Sequence, residues 1–174
     1  MNKEQEKTIE ALQTAIQMEI NGKEFYSKAS RNSNNELGQK LLAKLAEEED
    51  IHREVFENIY NSIKVSRGWL RVDFKPDYTT SLKDFFTETG SVTGLPLTDT
   101  SNELDVVRTA RQMESDTFDY YTQRSNSASA SAEKELFKMI AEQEQGHNLV
   151  LVDYYEYLQD PGSWFLKKEH PHLD

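Results

Sequence analysis

One tetrad, repeated at a fixed offset, does most to limit what this chain can become. The segment from Leu42 to His52 reads Leu-Ala-Lys-Leu-Ala-Glu-Glu-Glu-Asp-Ile-His, and that from Met139 to His147 reads Met-Ile-Ala-Glu-Gln-Glu-Gln-Gly-His. Each holds Glu-x-x-His, as Glu49/His52 and Glu144/His147, and the copies stand 95 residues apart. Residues three apart on an α-helix share a face, so each pair directs a carboxylate and an imidazole at one point. The same offset takes Ala15 to Ala110, Met18 to Met113, Glu19 to Glu114, Tyr26 to Tyr121, Ala46 to Ala141 and Tyr60 to Tyr155 without an insertion. A repeat of this kind is two copies of one supersecondary unit, each needing the other to bury its apolar face.

Apolar periodicity places each copy on two helices, over residues of about 2–30 and 33–64, then 101–125 and 131–159. Ile9, Leu12, Ile16 and Tyr26 mark the first helix, and Leu104, Val107, Phe118 and Tyr121 the third. Ser33-Asn34-Asn35-Glu36 and Thr100-Ser101-Asn102-Glu103 read as capping boxes opening the second and third. Asp160-Pro161-Gly162 reads as the stop of the fourth. A few polar residues join the members of each pair, which predicts antiparallel hairpins. The segment over about 65–100, with Gly68, Pro76, Gly90, Gly94 and Pro96, is long enough to cross a bundle. Within it, Ser81-Leu82-Lys83-Asp84-Phe85-Phe86 predicts a short amphipathic helix capping the core. The expected architecture is all-α: a four-helix bundle in one domain spanning 1–174, built as two antiparallel hairpins joined by a long crossover.

The buried stripes contain a conflict. On the second helix the stripe runs Leu42, Leu45, Glu49, His52, Phe56, Ile59, Ile63, and on the fourth Phe137, Ile140, Glu144, His147, Leu151, Tyr154, Leu158. Ile16, Glu19 and Tyr26 share a stripe on the first helix, as Val107, Glu114 and Tyr121 do on the third. Four carboxylates and two imidazoles thus occupy central core positions, where an unpaired charge costs several kcal/mol. No lysine or arginine shares those stripes near them, so the pattern asks for a ligand. Two divalent cations would balance four ionised glutamates, and an oxygen-rich site with two nitrogens suits iron or manganese better than structural zinc.

The totals narrow the field. A net charge of −11 argues against nucleic acid or an anionic membrane as partner. The absence of cysteine excludes disulfides, iron–sulfur clusters and thiolate-bound iron or zinc within this sequence. The longest aliphatic run, Leu149-Val150-Leu151-Val152, is far short of a membrane span, and no secretory signal is visible, so the chain reads as cytoplasmic.

The ligand pattern is that of ferritin-like di-iron carboxylate bundles, and the chain resembles their rubrerythrin-like branch over all four helices. The matching residues are Met18-Glu19…Phe25-Tyr26, Glu49-Asp50-Ile51-His52, Met113-Glu114…Tyr120-Tyr121 and Glu144-Gln145-Gly146-His147. The resemblance implies two iron ions, with manganese or zinc as substitutes. Glu49 and Glu144 would bridge them, Glu19 and His52 would complete one coordination sphere, and Glu114 and His147 the other. Tyr26 and Tyr121 would support the ligands from behind. It further implies an oxidoreductase that reacts with hydrogen peroxide or O2 in oxidative-stress protection, re-reduced by an external electron-donor protein.

Departures from the family pattern carry information. Full-length rubrerythrins add a rubredoxin domain with four cysteines, and this chain has none. Bacterioferritins hold haem through a methionine that follows the second-helix glutamate ligand; here that position is Asp50. Rubrerythrins associated with peroxide reduction carry a further glutamate three residues after the third-helix ligand. Here that position is Thr117, and its repeat mate is Gly22. Iron handling by ferroxidation and storage is the alternative function, and a metal-locked sensor or structural bundle a third. A cage-forming assembly would point to storage, a homodimer with peroxide turnover to a peroxidase. His170 and His172 read as an exposed tail.

Overall fold

The computed structural model describes residues 3–65, 68–70, 82–89 and 100–169. Through these run α1 (Lys3–Asn32), α2 (Glu36–Lys64), α3 (Leu82–Thr89), α4 (Ser101–Ser127), α5 (Ser131–Gln159) and α6 (Pro161–Glu169). The pair α1/α2 and the pair α4/α5 pack closely along their lengths, each turning on three residues, 33–35 and 128–130. Those two joints are themselves one repeat offset apart. The fold is an all-α bundle of two helix hairpins, as the periodicity predicts. Most of the crossover and the His170/His172 tail lie outside the described residues. Among the described residues no helix is long and apolar enough to cross a membrane.

The core is split into two apolar clusters. One gathers Leu42, Leu45, Val107, Leu151, Tyr154 and Leu158; the other gathers Leu12, Phe56, Ile59, Tyr121, Phe137 and Ile140. The stripes of α2 and α5 pass through both, and their ionisable residues fall in the gap between. Each stripe thus runs apolar, ionisable, apolar, and the hydrophobic layers on either side hold the polar layer out of water.

Both predicted capping boxes are corrected. At the head of α2 the cap is Asn35, whose side chain accepts from the Leu37 N–H at 3.0 Å. Thr100 makes no side-chain cap. The reason is shared: Ser33 donates to Glu103 at 2.7 Å, and Tyr154 donates to the same carboxylate. Glu103 therefore ties the two hairpins together instead of closing the first turn of its own helix. A Cβ at Gly38 would overlap the Glu103 carboxylate and the Tyr154 hydroxyl, so a larger residue there would displace this network. At the opposite end, buried Glu133 accepts from Thr8 at 2.8 Å and from the Arg124 Nε–H at 2.7 Å. Shifting by the repeat takes Thr8 to Glu103 and Gly38 to Glu133. The two ends thus use equivalent positions, with the acid on α4 at one and on α5 at the other.

The predicted stop holds, since the fourth long helix ends at Gln159, and Pro161 then opens a further short helix, α6, that the sequence reading did not include. Proline suits a first helical position, where its missing N–H has no partner to lose. Asp160 caps it, accepting from the Ser163 N–H at 3.0 Å. The predicted short helix after Ser81 is present as α3, with Leu82, Phe85 and Phe86 buried. Asp153 of α5 anchors both additions: it accepts from the Leu82 N–H at 3.1 Å and from the Trp164 indole at 2.9 Å, and pairs with Lys168 at 2.9 Å. Phe86, Tyr157 and Trp164 meet around it with ring centroids 5.6 Å apart.

Asp153→Ala leaves a buried indole and a buried amide without an acceptor, at about 1–3 kcal/mol each. A loss of about 2–5 kcal/mol is expected in urea unfolding, with the Trp164 emission shifting to the red in a Trp69→Phe background. Unchanged stability and emission would show that α3 and α6 dock without Asp153.

Candidate metal centre

Each long helix contributes to one buried layer: Glu19 from α1, Glu49 and His52 from α2, Glu114 from α4, Glu144 and His147 from α5. None is more than 5 % exposed. Their donor atoms fall into two overlapping groups, each within a 4.8 Å span. One comprises Glu19, Glu49, His52 and Glu144; the other comprises Glu49, Glu114, Glu144 and His147. Glu49 and Glu144 belong to both. His52 Nδ1 lies 3.0 Å from Glu144 Oε1 and 3.5 Å from Glu19 Oε2. His147 Nδ1 lies 3.2 Å from Glu49 Oε1, 3.4 Å from Glu144 Oε2 and 3.6 Å from Glu114 Oε2. Glu144 therefore turns one oxygen toward each imidazole. The two rings lie nearly parallel, with centroids 5.6 Å apart.

The layer is unsatisfied by protein alone. Glu19 Oε2, Glu49 Oε1, both Glu144 oxygens and His147 Nδ1 are buried without a hydrogen bond. Native interiors hold only a few such atoms, and a cluster of them calls for an explanation such as a bound ion. Here five lie in the two overlapping donor groups, and their chemistry, carboxylate oxygen with imidazole nitrogen, is that of a divalent-cation site. The residues fit a metal centre.

Electrostatics says the same. Burial, then the charges of Glu144, Glu19 and Glu114, hold the Glu49 carboxyl well above its usual range. Burial also lifts Glu114, against the pull of His147, to about 8. For Glu144 burial pushes upward too, but His147 and His52 prevail and hold it below the ordinary carboxylate range. Both imidazoles are held high: burial opposes their charge, and the glutamates around them outweigh it. Without metal, the layer retains protons where cations would bring charge.

The surrounding residues cross between the hairpins. Tyr26 of α1 donates to Glu114 of α4, and Tyr121 of α4 donates to Glu19 of α1. Both tyrosines are fully buried, and burial followed by the neighbouring glutamates holds their phenols well above the ordinary value. They stay protonated and keep donating. Behind the imidazoles, His52 Nε2 meets Gln143 Oε1 at 3.0 Å, and His147 Nε2 meets Glu48 Oε2 at 2.7 Å. These acceptors fix a proton on Nε2 and turn Nδ1 toward the centre, where it holds the second proton of the metal-free layer and would give it up to bind a cation. The sequence reading missed Glu48 and Gln143. The signal was there, since each immediately precedes the glutamate of its Glu-x-x-His and they are one repeat offset apart. Asp50 stands outside the layer, paired with Lys23 at 2.8 Å and Arg53 at 2.7 Å. A Cβ at Gly22 would collide with the Glu49 carboxylate, so its glycine makes the room that carboxylate occupies.

Two hairpins enclosing a buried carboxylate–imidazole layer define a metal-compatible helical bundle. The sequence profile of the Rubrerythrin family matches residues 10–155, and the chain belongs to that family. No curated protein matches it. Among solved structures, a hypothetical protein from Pyrococcus furiosus is similar, with 22 % identity and a TM-score of 0.65 over 88 % of this chain and 90 % of that one. At that identity the likeness concerns the fold alone.

Proposed function

We propose that the chain is a non-haem di-iron protein that reduces hydrogen peroxide or O2, with electrons returned by a separate donor protein. The observation that carries this reading is the pair of overlapping donor groups sharing Glu49 and Glu144. Glu19 and His52 complete one half and Glu114 and His147 the other, with Glu49 and Glu144 spanning both. Iron held there would cycle between ferrous and ferric states, supplying the two electrons that, with two protons, convert hydrogen peroxide to water. The protein's part is geometric and electrostatic. The glutamates set the spacing, the Tyr26 and Tyr121 hydroxyls fix the carboxylates of Glu114 and Glu19, and the flanking apolar clusters exclude water. Anaerobic reconstitution with Fe(II), then stopped-flow mixing with peroxide and with O2 separately, tests the reading. Faster oxidation by peroxide, reversed by a reductant with iron retained, supports it.

Thr117 favours a second reading, ferroxidation for iron storage or delivery. Its hydroxyl donates to the Met113 carbonyl at 2.9 Å, and it supplies no carboxylate where peroxide-reducing relatives have one. Rapid oxidation by O2 with release of Fe(III) would place this reading first. Thr117→Glu is expected to raise the ratio of peroxide to O2 oxidation rates several-fold. An unchanged ratio in a wild type that already prefers peroxide would dismiss the missing carboxylate as a determinant.

A further inference from the structure

The two halves of the centre are matched almost residue for residue. One repeat offset relates Glu19 to Glu114, Tyr26 to Tyr121, Glu49 to Glu144 and His52 to His147, and the tyrosine contacts cross symmetrically. Behind the imidazoles the match fails. Glu48 and Gln143 occupy equivalent positions and make equivalent contacts, but one presents a carboxylate and the other a neutral amide. We infer that this single difference makes the halves unequal, so that the half completed by Glu114 and His147 binds a divalent cation first and more tightly. The inference rests on the metal-centre reading of the preceding subsections.

An imidazole that binds a cation through Nδ1 becomes partly positive, and its Nε2–H becomes a stronger donor. A carboxylate acceptor stabilises that charge directly, and a hydrogen bond to an ionised group is roughly twice as strong as one between neutral groups. The His147–Glu48 contact is also the shorter, 2.7 Å against 3.0 Å for His52–Gln143. Glu48 is largely shielded, with its side chain 14 % exposed, so solvent screens the interaction little. Lys44 opposes the effect, but its ammonium stands 3.9 Å from the other oxygen, Glu48 Oε1, and only partly offsets the charge. Glu48 and Gln143 are thus positioning residues that act on the metal through the histidines.

Acceptors of this kind change metal affinity by about 10–100-fold when altered. Anaerobic calorimetric titration of the metal-free protein with Mn(II) is therefore expected to show two steps of one ion each, separated by a factor in that range. Glu48→Gln should merge the steps near the weaker value, and Gln143→Glu should merge them near the tighter. The exchange variant carrying both changes should restore two steps with the order reversed. Order is read with half-site variants: Glu19→Ala should retain the tight step and Glu114→Ala the weak one, and in the exchange background these should trade. A merely structural role for Glu48 would lower both affinities together and would not be repaired by the exchange. Two equivalent ions in the wild type, or a separation that survives Glu48→Gln, overturns the inference and leaves the metal centre standing. No Mn(II) binding at all, repeated with Fe(II), overturns the metal centre itself.

Discussion

Glu144→Ala is expected to empty both halves of the centre, and Glu49→Ala to do the same, whereas Glu19→Ala or Glu114→Ala removes one ion of the two. The distinction follows from which donor groups each carboxylate joins. Glu49 and Glu144 belong to both, Glu19 and Glu114 to one each. Glu144 is the more consequential of the pair, because its Oε1 faces His52 at 3.0 Å and its Oε2 faces His147 at 3.4 Å. Removing it also leaves two buried imidazoles short of their common counter-charge, and breaking a buried pair in this way costs about 3–5 kcal/mol. Glu49 has its carboxyl held toward the protonated form in the metal-free fold, so its removal strands less charge. Glu49→Ala is therefore the cleaner test and Glu144→Ala the more severe. Metal analysis after anaerobic Fe(II) loading, with circular dichroism as the check on folding, reads both. Full occupancy in a folded Glu49→Ala variant would rule out a bridging role for that carboxylate.

Much of this layer was legible in the sequence because helical periodicity converts spacing into direction. Once Glu49/His52 and Glu144/His147 were set on stripes that also carry Leu45, Phe56, Ile140 and Leu151, burial followed, and the repeat brought the copies face to face. What periodicity cannot convey is contact between helices far apart in sequence. Glu103 reads as a capping residue because Thr100 lies three positions before it, yet it accepts from Ser33 of the other hairpin and from Tyr154 of the neighbouring helix α5. Glu48 and Gln143 lie off the apolar stripes, so periodicity gives no reason to single them out, yet each reaches the histidine of the opposite copy. Asp160-Pro161-Gly162 was ambiguous by nature: proline ends one helix for the same reason that it can begin another. The partner that settles the matter, Asp153 beneath Trp164, lies in the preceding helix.

Metal should raise the stability of the fold, and the gap between the metal-loaded and metal-free forms should widen as pH rises. Burial lifts Glu114 from the ordinary 4.5 to about 8, so between these values the metal-free fold holds a proton that the unfolded chain has released. Stability falls with rising pH wherever the folded state binds more protons, at about 1.4 kcal/mol per pH unit for each proton so held. Glu49 acts in the same direction, since burial and three neighbouring glutamates raise it. His52 and His147 do too: both are raised above 6.5, so their contribution is complete below that value and is lost as pH rises through their folded values. Glu144 has the opposite sign, but its contribution is already fully present above 4.5 and cannot compensate in this window. From about pH 5 to pH 8 the metal-free protein is therefore expected to lose on the order of 3–6 °C of melting temperature per pH unit for each such proton. Metal displaces these protons and supplies the charge they brought, so the loaded form should change little over the same range and melt higher throughout. Glu19→Leu combined with Glu114→Leu should impair metal binding and flatten the pH dependence of the metal-free melting temperature, because it removes the Glu114 proton uptake. The Tyr26 and Tyr121 hydroxyls lose their acceptors in this variant, which offsets the gain from emptying the dry layer of two carboxylates. Scanning calorimetry at several pH values, in chelator and after anaerobic Mn(II) loading, measures all three quantities. A metal-free form that melts higher than the loaded one, or whose melting temperature rises across this window, would mean that the six side chains do not share one buried electrostatic site.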